Sequence, residues 1–103
     1  MKIIKCVAER IREEISDAET YMNLAIEWKE EEPDAAEVFS ELAEEELGHM
    51  EKLHGVVTEL IENYRSRHGD PPAGMQALYD YMHSQNMENV MRVKVKQAMY
   101  KEA

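Results

Sequence analysis

The chain has 103 residues, a third of them charged, with 12 Lys and Arg against 22 Asp and Glu and a net charge of −10. That length allows one small domain, the acidity argues against nucleic acid or an anionic membrane as a partner, and a single cysteine, Cys6, excludes an intrachain disulfide. Four Gly and three Pro among abundant Ala, Glu, Leu and Met give the composition of an all-α protein. No apolar run approaches membrane-spanning length and the opening residues lack the hydrophobic stretch of a secretion signal, so a cytoplasmic location is expected.

The first predicted helix covers residues 3–30, where neither Pro nor Gly interrupts the chain. Its apolar stripe recurs every three or four residues at Ile4, Val7, Ile11, Glu14, Ala18, Tyr21, Ala25 and Trp28. Cys6, beside Val7, is expected to be a partly buried thiol. The run Glu30-Glu31-Glu32-Pro33-Asp34 is the turn, with Asp34 as helix cap and Glu37 completing a capping box. A second helix then runs to about Arg67 along the stripe Ala35, Phe39, Leu42, Glu46, His49, Leu53, Val56 and Leu60. Gly48 and Gly55 each cost roughly 1 kcal/mol inside it. Gly48 lies beside Glu46 and His49, where it either permits close helix approach or is merely tolerated.

The stretch from His68 through Gly74, with Gly69, Pro71 and Pro72, marks the end of the hairpin. The expected organisation is a hairpin over 1–68, a joint over 69–74 and a helical segment over 75–103. Ser84-Gln85-Asn86 is expected to divide that last segment into a short helix and one of about sixteen residues. Pieces so short cannot complete a bundle along two long helices, so the hairpin is expected to pair with a second copy as a homodimer or larger homo-oligomer. Charge is uneven too: residues 1–64 hold 18 acidic and 6 basic side chains, residues 65–103 only 4 and 6.

Three polar residues fall within the two stripes, and a carboxylate buried there costs several kcal/mol unless a positive group meets it. Glu46 and His49 follow the order Glu-x-x-His, which puts both on one helix face. Glu14 faces them at the same level, because the midpoint between the two helices falls in the turn. Together they form a metal-ligand set, and doubling it across a two-fold axis gives four carboxylates and two imidazoles, the inventory of a dimetal carboxylate centre. Oxygen-rich ligation suits iron or manganese, and zinc can occupy the same donors. Glu-x-x-His alone is common in Glu-rich helices; its coincidence with Glu14 on matched stripes gives it weight. By comparison His54, His68 and His83 are expected to be solvated, and the eight methionines are expected to serve packing.

The stretch from Ala36 through His49, with its Ala-acid-aliphatic-Phe opening and Glu46-x-x-His49, resembles the second helix of rubrerythrins and related ferritin-like proteins. Glu14, Ala18 and Tyr21 are similar to the first helix of that superfamily. The resemblance covers residues 10–65 and implies Glu14, Glu46 and His49 as iron ligands, with Tyr21 beside the metals. Because the chain holds one such hairpin followed by an unrelated-looking segment, it looks most like the encapsulated ferritins. That likeness implies a di-iron site completed across a dimer, oxidation of Fe(II), and an encapsulating protein shell as a partner. Such proteins are usually loaded by a C-terminal targeting peptide, whereas residues 97–103 here look helical. Two other readings compete: a metal-free helical interaction module docking through its Met-rich C-terminal segment, and a peroxide-reducing di-iron protein supplied with electrons by a partner.

Overall fold

The computed structural model describes residues 2–102, which form three helices and no strand: α1 (Lys2–Trp28), α2 (Pro33–His68) and α3 (Ala73–Glu102). The Glu32 N–H donates to the Trp28 carbonyl at 2.8 Å and closes the first turn. Pro33 begins α2, where its missing N–H costs nothing and its fixed φ suits the first helical position. Asp34, expected as the cap, therefore lies inside the first turn, its carboxylate near the positive end of the helix. Glu32 holds the cap position without a side-chain cap bond. At the other end Gly69 takes φ 77°, a left-handed conformation that favours glycine, and its N–H donates to Arg65 at 2.9 Å.

The expected break at 84–86 does not occur, and α3 is one helix of 30 residues. Neither Pro nor Gly stands there to enforce it. Asn86, whose amide would otherwise compete with its own backbone, is buried and donates to the Ala8 carbonyl on α1 at 3.5 Å. The C-terminal segment is therefore long enough to line α1.

α1 is the middle helix and packs against both others. α2 returns antiparallel to it, and α3 runs back parallel to α1. The molecule measures 56 × 18 × 18 Å, matching the roughly 54 Å that a helix of α2's length spans at 1.5 Å per residue. Lys96 of α3 reaches Glu19 at 3.0 Å and Asn23 at 2.7 Å. Near the turn Lys29 donates to the Tyr100 carbonyl and lies over the Tyr100 ring, while the Tyr100 hydroxyl donates to Glu37 at 3.0 Å. These contacts fasten α3 to the hairpin at its far end.

The seam between α1 and α2 is rotated by one residue from the expected stripe on α2 and shifted in part on α1. On α1 the buried residues are Ile4, Val7, Ala8, Ile11, Ile15, Ala18, Met22 and Ala25, and on α2 they are Ala36, Ala43, Met50 and Val57, spaced by seven. Ala35, His49, Val56 and Trp28 are exposed, and Glu14, Tyr21 and Glu46 are half-buried. The reason is desolvation. The rotated row contains no polar residue, whereas the expected one would bury Glu14 and His49 in a dry interface. Small residues (Ala18, Ala25, Ala36, Ala43) fill the seam near the turn and larger ones (Ile4, Ile11, Met50, Val57) fill the far end.

Three smaller expectations also change. A Cβ added at Gly48 or Gly55 would meet nothing within 4 Å, so neither glycine marks a close helix approach. Cys6 is exposed rather than partly buried. Met22 and Met50 serve packing, but Met91 and Met99 lie outward on α3. No helix among the described residues is long and apolar enough to cross a membrane.

Candidate metal centre

Glu14 stands halfway along α1, and Glu46 and His49 stand one turn apart on α2. The antiparallel register brings them to one level, where one ligand atom from each lies within 4.8 Å of the others. Among the described residues this is the one group of three such side chains. His49 Nδ1 is 3.2 Å from Glu14 Oε2 and 3.6 Å from Glu46 Oε2. The Glu14 and Glu46 side chains retain 12% and 19% of their accessible surface, His49 57%. The trio therefore opens on the surface at the edge of the seam. It does not interrupt the core, as the stripes had implied.

Two carboxylates held this close cannot both ionise freely. Hydrogen bonding to Glu14 holds a proton on Glu46 and, with desolvation and the Glu14 charge, raises its pKa above the ordinary carboxylate value. The same bond, received from Glu46, lowers that of Glu14, helped by His49 and by the guanidinium of Arg10 at 3.5 Å and opposed by desolvation. The pair thus favours sharing a positive charge, whether a proton or a cation.

The flank around the trio is apolar. From α1 come Tyr21 and Trp28, and from α2 come Val38, Phe39, Leu42, Leu53, Val56 and Leu60, all half-buried or exposed. Tyr21 stacks on Phe39 with ring centroids 6.4 Å apart. It stands outside the ligand cluster, and its hydroxyl makes no hydrogen bond to the trio among the described residues. α3 lies on the other side of α1, against Ala8, Glu19 and Asn23.

His54 and His83, expected to be solvated, are half-buried with ring centroids 5.3 Å apart, and Tyr79 packs on His83. They join α2 to α3 beside the buried Asn86. The signal was available: His54 is four residues from Met50 and three from Val57, on the α2 side that faces α3. His68 is exposed, as expected, against Tyr64.

Two carboxylates and an imidazole, anionic and oxygen-rich, are a donor set that fits a divalent iron or manganese ion. The convergence of one ligand atom from each of the three within 4.8 Å is where that ion would be seated. No curated protein and no solved structure matches the chain. The rubrerythrin family model, however, matches residues 5–103, so the match includes α3 as well as the hairpin over 10–65 that carries the resemblance. A helical hairpin with Glu14, Glu46 and His49 converging on its edge, matched over nearly its whole length, belongs to the rubrerythrin family.

Proposed function

We propose that two copies of this chain pair through the uncovered flank and bind Fe(II) between their two sets of Glu14, Glu46 and His49, oxidising it there. The observation that carries this reading is the convergence of three ligands on an apolar flank that none of the described residues covers. A single trio gives too few donors to fill the coordination of one iron. Two trios facing each other give four carboxylates and two imidazoles, enough for a pair of divalent ions. The apolar side chains around them would exclude water once paired.

The residues divide the work by charge. Glu14, lowered by the hydrogen bond from Glu46 and helped by His49 and Arg10, favours the charged form that takes a cation, and Glu46, raised, would give up a proton as a cation arrives. Bound iron supplies the electrons: two Fe(II) ions each give up one, and peroxide takes two electrons and two protons to leave as two waters. Four carboxylates would balance the charge of two divalent ions and offset most of the greater charge of the Fe(III) product. Manganese or zinc would compete for the same donors. Oxidation for storage would need an enclosing shell or a larger homo-oligomer, as in the encapsulated ferritins; consumption of peroxide would need an electron-donating partner.

Anaerobic Fe(II) titration, followed by air or peroxide with absorbance and mass recorded together, tests the reading. About one iron per chain in a dimer, and a ferric band after oxidant, is the expected result. Faster oxidation by peroxide than by air would identify a peroxide reductase. Fe(II) binding unchanged in Glu46→Ala would overturn the assignment of the trio, and no specific Fe(II) binding by the native protein would leave a metal-free interaction module.

A further inference from the structure

At the end of the molecule where α1 and α3 begin and α2 stops lies an open apolar cleft of about 250 Å³. Ile4, Ala8, Ile61, Tyr64, Met75 and Met82 form its walls, and the exposed Lys2 and Lys5 stand at its rim. We propose that this cleft binds a free single-chain amphiphile with a carboxylate head and a tail of about eight carbons, each occupying roughly the 30 Å³ of a water.

The tail follows from the walls. An apolar cavity of this size is poorly hydrated and is filled more favourably by hydrocarbon than by water. The head follows from the charge pattern. In a chain of net charge −10, this end gathers Lys2 and Lys5 in the first turn of α1 and Arg65, Arg67 and His68 in the last turn of α2. Neither α1 nor α3 has an acidic residue in its first turn. Two helix N-termini therefore present their positive ends here, and lysines at an N-terminus are themselves unfavourable against the helix dipole. An anion at the rim relieves both. Lys2 and Lys5 make no ion pair among the described residues. Three carboxylates, Glu62, Asp70 and Asp80, belong to the same end beside the four Lys and Arg; Asp80 accepts a hydrogen bond from Gln76 at 2.8 Å, and Gln76 in turn accepts one from Arg65 at 3.3 Å. The cleft lies at the opposite side of α3's start from the metal trio, and the proposal stands independently of iron binding.

Isotope-labelled protein titrated with octanoate, and separately with octanol, supplies the test by amide chemical shifts. Saturable shifts confined to residues 2–8, 61–64 and 71–82, with octanoate binding about tenfold more tightly than octanol, are expected for two rim charges. Lys2→Glu/Lys5→Glu, both on the surface, should remove that preference, and Met82→Trp should fill the cleft and end binding with the helical spectrum intact. Equal binding of octanol and octanoate would overturn the assignment of the head. Three results would overturn the site: no saturable shifts, cleft shifts that follow protein concentration alone because a second copy covers it, or binding to phosphatidylglycerol vesicles without binding to octanoate.

Discussion

The two flanks of the α1–α2 seam have opposite fates. One is closed by α3, with Asn86, Val90 and Val93 buried and Lys96 bridging to Glu19 and Asn23. The other keeps Trp28, Val38 and Val56 exposed and holds the only cluster of three potential metal ligands among the described residues. Both flanks are apolar enough to be covered, yet the described residues cover only one. The apolar strip with a ligand set in its middle is the surface that the proposed pairing would use.

Breaking the contrast should give its largest effect at the open flank's polar centre. Glu46→Ala removes a ligand and should weaken Fe(II) binding about 100-fold or more, measured by competition with a chelator, while circular dichroism stays helical. Next, the adjacent valines separate the two environments. Val57 is 1% exposed and Val56 44%; Val57→Ala should cost about 2 kcal/mol in urea unfolding, and Val56→Ala within about 0.5 kcal/mol for dilute protein. Val56→Ala should instead lower the concentration-dependent mass in sedimentation, since its side chain belongs to the proposed pairing surface. A loss of stability shared equally by the two would erase the distinction between flanks.

On the closed flank Lys96→Ala should cost about 1 kcal/mol or less, because the pair with Glu19 is still partly solvated. Its measure is the unfolding midpoint, and Fe(II) affinity should not move. The smallest effect is that of pH on metal-free protein. Glu46, raised, contributes stability that is present below the ordinary glutamate value and lost as pH climbs through its raised one. Glu14, lowered, contributes stability present above the ordinary value and lost as pH drops through its lowered one. Stability in chelator should therefore pass through a shallow maximum near the ordinary carboxylate range, and Glu46→Gln should flatten its upper limb. Metal affinity should rise with pH across that same upper limb, as Glu46 gives up its proton.

Helix type and the hairpin were legible because α1 has no breaker and Pro33 and Gly69 punctuate the ends of α2. The meeting of Glu14, Glu46 and His49 was legible for a simpler reason: two helices sharing a turn fix which residues lie level. Which side of the seam they occupy was misread, because two stripes one residue apart are both mostly apolar. Ile15 and Met22 compete with Glu14 and Tyr21, and the polar pair should have decided for the former. Asn86 misled through propensity; its long-range bond to Ala8 bridges 78 positions and leaves no local signature. Tyr100, buried against Lys29 and Glu37, was hidden for the same reason.

That same long reach orders the events of synthesis. The hydrogen bonds of Asn86, Lys96 and Tyr100 that fasten α3 join residues 63 to 78 positions apart, whereas α1 and α2 are both complete once residue 68 has been made. Chains emerge N-terminus first at about 5–20 residues per second. The hairpin can thus bring Glu14 level with Glu46 and His49 while α3 is still leaving the ribosome. For those seconds the two flanks are equally bare. A nascent hairpin that met another chain then would have two sides to offer it, and α3, arriving last, decides which side stays available.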